Sequence, residues 1–407
     1  MQKILVISPG VLPVPPVMGG AVENLIARLQ GELQNSYEFH HVTVAPPRSG
    51  HKADNRFAKA YIHTIESIDP LRDFRPDNHF ELQESEKWND YTDFCIATVK
   101  RIEPAIIHVH NEVRLALAIA EAVPTKTILM HINDEVVTRL GPSELRAVSN
   151  SIDLLLSCSQ YIHSQIKRAF EAHGVTPPEH EVFYNFVDLQ EFDPGSVTSC
   201  AMQRLRDHYG LGEGTVVLFT GRMIEQKGPH LVVQAMRWAR THGAHAKLLF
   251  VGAPWYSRDK STPWLDYLRA EVERACEDAV FTGYVQHSEM PAYFALADIV
   301  TVPSIWDDPS PFVTYEAQAM ARPVLGSIRG GIPEIVADRM TGRCIDVFNI
   351  PLFGEILASW ISDRQERHRL GVNGRARMKE RFSLQQAARQ MDGIYRQLLS
   401  RQPRSPI

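Results

Sequence analysis

At 407 residues the chain is too long for one ordinary core, and two domains of about 200 residues each are the natural expectation. Its 44% hydrophobic and 22% charged residues are those of a globular protein, and a net charge of −5 with a pI near 6.4 argues against a general nucleic-acid binder. Cys95, Cys158, Cys200, Cys276 and Cys344 lie far apart with no paired short spacing, which argues against a zinc site or disulfide framework and suits a reducing compartment.

In chain order, Lys3 to Ile7 reads as a buried strand, too short for a signal peptide and halted by Pro9-Gly10. A Pro/Gly loop follows, and then a helix with Val22, Leu25, Ile26 and Leu29 on one face. Gly19 and Gly20 at the start of that helix let a ligand approach the backbone, although an ordinary strand-to-helix turn has the same look. Strands are predicted at His41 to Ala45 and Ala60 to His63, and the polar, aromatic segment Asp69 to Asp93 reads as loop or short helices. Ala105 to Val109 and Thr125 to Met130 are further strands, ending in His108-Val-His110-Asn111 and in His131-Ile-Asn133-Asp134. Polar residues directly after strand ends can line a ligand crevice. A metal held by His108, His110 and His131 is conceivable, but no carboxylate or cysteine spacing supports it, and the expectation is no metal. Strand Ile152 to Ser157, a helix capped by Ser159, and Glu181 to Tyr184 complete a first domain over 1–195.

The second half starts again with a strand, Thr215 to Thr220, followed at once by Gly221-Arg222-Met-Ile-Glu225-Gln-Lys227-Gly228 and a helix. Arginine offers a planar fork of donors and lysine a compact charge, so Arg222 and Lys227 form a phosphate cradle suited to a diphosphate. Strands Lys247 to Gly252, Ala279 to Gly283 and Asp298 to Val302 follow, with Gly252 able to admit a ligand close to the backbone. Next comes VPSIWDDPSPFVTYEAQAMARPVLGSIRGGIPE, from Val302 to Glu334. A polar loop leads into helical Phe312 to Ala321, a strand at Pro323 to Leu325, and the turn Gly330-Gly331. The helix start suits an anion. Asp308 and Glu316, eight positions apart, allow one carboxylate to face a bound sugar and the other to accept hydrogen bonds from a second polyol. The second domain is placed at 196–382, and 383–407 forms a final helix.

The Val302–Glu334 stretch resembles the signature of glycosyltransferase family 4, a group of retaining enzymes with the GT-B fold. Glu316, Ala319-Met320-Ala321, Pro323-Val324 and Gly330-Gly331-Ile332-Pro333-Glu334 match its pattern. Asp308 stands where the family has Glu, and Ser310-Pro311 replaces the usual Phe-Gly, removing one backbone donor. The resemblance implies an α/β fold of two Rossmann-like, doubly wound domains facing across a cleft, with the last helix packing back on the first domain. It implies a donor site of Gly19, Gly20, Gly221, Arg222, Lys227, Gly252, Tyr284, Val285, Asp308, Ser310, Pro311, Phe312, Val313 and Glu316. His131 matches the histidine that contacts the donor sugar, and Tyr284-Val285 lie in the segment whose backbone reads the base. His131, Asp308, Glu316, Arg222 and Lys227 are the expected catalytic set, with His110 and Asn111 on the acceptor side.

The expected reaction moves a sugar from a UDP- or GDP-sugar, with retention and without a metal or other cofactor. The acceptor is a hydroxyl of a saccharide, lipid-linked glycan or natural product. Two alternatives share the architecture: a glycosyl phosphorylase, and a non-catalytic sugar-nucleotide binder or coat protein. No Gly-x-Gly-x-x-Gly follows the first strand, which argues against a nicotinamide enzyme. No stretch approaches the roughly 18 apolar residues of a membrane span. The expected setting is therefore the cytoplasm, with room for peripheral contact at the inner face of the membrane.

Overall fold

A computed structural model describes residues 1–10, 12–14, 16, 20–44, 60–65, 86–254, 261–275 and 278–401. Gly19, Cys276 and residues 69–85 of the segment Asp69 to Asp93 lie outside these. The chain divides into two compact units, Met1–Asn185 with Leu384–Ile407, and Phe186–Ser383. Both are parallel-sheet α/β domains.

In the first unit the strands are β1 (Lys3–Ile7), β2 (Glu38–Val44), β3 (Tyr61–Ile65), β4 (Ile106–His110), β5 (Thr127–Ile132), β6 (Leu154–Ser157) and β7 (His180–Val182). They pair in the order β3-β2-β1-β4-β5-β6-β7, all parallel. Their sequences are near-continuous apolar runs because helices cover both faces of such a sheet; Ile4, Leu5, Ile7, Ile106, Ile107, Leu129 and Leu155 are fully buried. The order reverses between β1 and β4, which makes that edge a topological switch point.

Glu86–Ile102 is one helix of 17 residues, so the described end of the segment Asp69 to Asp93 is not loop. Trp88, Tyr91, Cys95, Val99 and Ile102 are buried at spacings of three and four, a period that becomes visible only when the window extends past Asp93. The closing helix Leu384–Ser400 packs on the helix Ala21–Leu33 and on β4. Tyr395 inserts from it into the sheet face and bonds His108.

The second unit repeats the plan with β8 (Val216–Thr220), β9 (Lys247–Val251), β10 (Ala279–Phe281), β11 (Ile299–Val302), β12 (Val324–Ser327) and β13 (Gly342–Ile345), ordered β10-β9-β8-β11-β12-β13. Its core joins Val217, Phe219, Leu248 and Phe250 of the sheet to Val232 and Met236 of the helix Pro229–Thr241 and Phe353 and Leu357 of the helix Ile350–Ser362. Here the order reverses between β8 and β11, so the segments leaving those strands sit together at a second switch point. No helix among the described residues is long and apolar enough to cross a membrane.

Candidate functional site

The second unit brings most of the expected donor residues together. Lys227 closes the turn after β8, and Asp308 lies in the loop after β11; their side chains pair at 2.5 Å. Asp308 is buried and also accepts from the Ser304 hydroxyl at 3.2 Å. Lys227 stands over the Trp306 ring, 5.4 Å from its centroid, which adds a cation–π contact to the charge pair. Arg222 is half-buried, and its guanidinium has no partner among the described residues. A cation already compensated and a second still available are what an incoming diphosphate needs.

The glycine turn fixes this loop. Gly330 has φ +60°, and a Cβ there would meet the Asp308 carbonyl oxygen at 2.1 Å. The Gly331 N–H donates to that same carbonyl at 2.9 Å. Gly330-Gly331 therefore sets the position of Asp308 through its backbone. Gly252 has a comparable role at the ends of β8 and β9: a Cβ would meet the Gly221 carbonyl at 2.1 Å. Its N–H donates to Gly283 at 2.9 Å, which anchors the turn carrying Tyr284 and Val285. The close neighbour that requires glycine at 252 is thus the chain's own backbone.

The helix Phe312–Ala319 begins after Pro311 with no side-chain cap on its first N–H groups, leaving its positive end for another acceptor. Phe312 and Val313 are its first two residues, and Ser310 bonds the Tyr315 hydroxyl at 2.8 Å just ahead of it. Inside the helix, buried Glu316 accepts from His287 Nε2 at 2.7 Å, and the other ring nitrogen of His287 lies 3.4 Å from Glu191. A His bridging two carboxylates orients Glu316. Neither His287 nor Glu191 was singled out from the sequence; the only signal was a histidine three residues beyond Tyr284.

In the first unit, His110 and His131 lie within β4 and β5 rather than beyond their ends, and in register with each other. His131 is fully buried, and desolvation holds its ring neutral, with a pKa lowered to about 3. His108 and His110 are pushed well down, first by the same burial and then by neighbouring imidazoles. Asn111 adopts φ 59° and ties the two strand ends together: its N–H donates to His131 O at 2.9 Å and its Oδ1 accepts from the Asn133 N–H at 2.7 Å. The Asn133 amide is buried with neither side-chain atom partnered among the described residues, and burial raises Asp134 to about 6. Gly20 precedes the helix Ala21–Leu33, where the buried Glu23 carboxyl lies against it and is raised by desolvation to about 7. Glu23 was not expected as a site residue, since an acid in a helix's first turn looks like an ordinary dipole partner.

The architecture of two parallel-sheet α/β domains is that of GT-B glycosyltransferases. Residues 202–377 match the family described as Glycosyl transferases group 1. The chain is 25% identical over 405 residues to YtcC of Bacillus subtilis (strain 168), a glycosyltransferase by provisional name, covering 98% of this chain and 93% of that one. It is 24% identical to Spore coat protein SA of the same organism, over 97% and 99% of the two chains. Among solved structures it is similar to Anabaena HepE in complex with UDP and glucose, with 18% identity, coverage of 97% and 100%, and a TM-score of 0.75.

Proposed function

We propose that the chain is a retaining glycosyltransferase that moves a sugar from a UDP- or GDP-sugar to a hydroxyl acceptor without a metal. The observation that carries this reading is the Lys227–Asp308 pair at the switch point of the second unit, with Arg222 beside it on the same turn. The match to Glycosyl transferases group 1 and the glycosyltransferase relatives support it. So do the UDP complex of HepE and the GDP-mannose-dependent mannosyltransferase of Mycolicibacterium smegmatis, 28% identical over 242 residues (57% of this chain, 59% of that one).

In this reading Arg222, Lys227 and the start of the helix Phe312–Ala319 take the diphosphate and stabilise it as it leaves. Glu316, oriented by His287, accepts the ribose hydroxyls. Asp308 exchanges part of its contact with Lys227 for hydroxyls of the transferred sugar, and His131 is assigned to that sugar too. The bond from the anomeric carbon to the diphosphate breaks, the acceptor oxygen bonds that carbon on the same face, and the acceptor's proton passes to the departing phosphate oxygen. The acceptor, a saccharide, lipid-linked glycan or natural product, is assigned to the first unit, with His110 and Asn111 among its contacts. A cytoplasmic setting and peripheral membrane contact belong to the same proposal.

Thermal stabilisation by UDP, GDP, ADP, CMP and CDP, each with and without EDTA, tests this on wild type and Glu316→Ala. A shift from one diphosphate that survives EDTA and weakens in the variant is expected; no shift from any of them sinks the reading. A second reading, a sugar-nucleotide binder without turnover, is favoured by Pro311, which removes a donor beside the sugar, and by similarity to a protein named for a spore coat. Binding without transfer across a broad acceptor panel would select it.

A further inference from the structure

His108, His110 and His131 meet on one face of the first unit's sheet, because β4 and β5 pair in parallel register with His110 opposite His131 and His108 two residues earlier on the same face. All three are buried, with at most 1% exposure. One ring nitrogen from each lies within 4.8 Å of the others. The rings are stacked or tilted, with centroids 4.4 Å apart for His108–His110, 4.9 Å for His110–His131 and 5.7 Å for His108–His131. Stacked rings cannot bond one another through their in-plane nitrogens. Accordingly His108 Nε2, His110 Nδ1 and both nitrogens of His131 are buried with no partner among the described residues.

A buried polar atom left unsatisfied is destabilising, and four such atoms on neighbouring side chains call for an occupant. The occupant that suits them must accept lone pairs from neutral imidazoles in an apolar setting. Burial keeps these rings in the neutral form that metals bind. His108 also has the outer partner typical of a metal-ligating histidine: its Nδ1 bonds the Tyr395 hydroxyl at 2.8 Å. With the Nδ1 proton donated to Tyr395, Nε2 presents its lone pair toward the other two rings.

We propose that His108, His110 and His131 form a three-imidazole site for a divalent cation of the zinc class. Imidazole ligation selects zinc and its late-transition neighbours over magnesium or calcium. Ligands about 2.0–2.1 Å from a tetrahedral ion stand about 3.4 Å apart. The rings therefore turn about χ2, a soft torsion, and close by about an ångström when the ion enters. Three ligands leave a fourth position for water or an anionic oxygen. Because His131 is also assigned to the donor sugar, the cation competes for that ring and is no cofactor of the proposed transfer.

The test uses full-length chain carrying no histidine tag, stripped with chelator and titrated with Co²⁺ alone in the absence of nucleotide, so it stands apart from the donor reading. Uptake of one equivalent with a visible ligand-field band, lost in His108→Gln and in His110→Gln, is the expected result. No band in wild type, or wild-type uptake in both variants, overturns the proposal. If those variants fail to fold, Tyr395→Phe decides, since it removes only the outer hydroxyl. Affinity for Co²⁺ weakened about 10–100-fold is expected, and unchanged affinity overturns the proposal.

Discussion

The two units are built on the same βα plan and treat buried polarity in opposite ways. At the switch point of the second unit, charged side chains other than Arg222 are matched: Lys227 with Asp308, and Glu316 with His287 and through it Glu191. In the first unit the corresponding strands carry imidazoles kept neutral by desolvation, and several of their nitrogens meet nothing among the described residues. Matched charges tolerate burial and stay ready for a charged ligand. Unmatched neutral rings cost stability until something is bound to them.

The largest effect that could break this contrast lies at Lys227. Lys227→Ala is expected to lower kcat by about 10²–10³, the scale of losing one electrostatic stabiliser. It should also destabilise the second unit by about 1–3 kcal/mol, because Asp308 stays buried without its cation. The double variant Lys227→Met/Asp308→Asn should recover stability but not turnover; if it recovers neither, the pair is not what holds the loop. Gly330→Ala comes next. Its φ and its contact with the Asp308 carbonyl predict a loss of about 2–3 kcal/mol in a denaturant titration, together with reduced donor binding.

The first unit should answer to acid more steeply than the second, which has its own histidine lowered by burial, His230. His41 and His180 are both held down to about 3, chiefly by burial. Below about 6.5 the unfolded chain takes up protons that these folded rings refuse, so stability falls as the pH drops. Each histidine contributes about 1.4 kcal/mol per pH unit. Glu23, raised by burial to about 7 from an ordinary 4.5, works the other way: between those values the folded chain keeps a proton the unfolded chain has lost. The first unit's buried histidines outnumber its raised carboxyls, Glu23 and Asp134, so its stability falls as the pH drops below about 6.5. Hydrogen exchange of β4 and β5 peptides against β8 and β11 peptides across that range measures it; equal acid sensitivity in both sets would erase the distinction. The smallest effect is His287→Gln, which keeps a donor for Glu316. It should raise the donor KM less than about tenfold with kcat nearly unchanged.

The same contrast explains what could be read before the structure. Parallel strands were legible because Ile4-Leu5-Val6-Ile7 and Val216 to Phe219 are unbroken apolar runs. Arg222 and Lys227 were expected at a site because they follow directly on a buried strand, and Asp308 and Glu316 because they match a family pattern; the structure pairs Lys227 with Asp308. His287 was not, since its value depends on Glu191 and Glu316, 96 residues before it and 29 after it. The helix Glu86–Ile102 was missed because its apolar positions straddle a window cut at Asp93. Glu23 is buried although it lies in the first turn of its helix, which no local spacing encodes.

The helix Leu384–Ser400 has a consequence for how the chain is made. The first unit is completed by a segment separated from it by the 198 residues from Phe186 to Ser383. During synthesis at about 5–20 residues per second, β4 and the helix Ala21–Leu33 wait about 10–40 seconds for the surface that covers them. Throughout that interval the pocket that Tyr395 later fills is open, and the second unit can fold before the first is whole. A nascent chain arrested before Leu384 should therefore be a client for chaperones through its amino-terminal half, even though that half left the ribosome first.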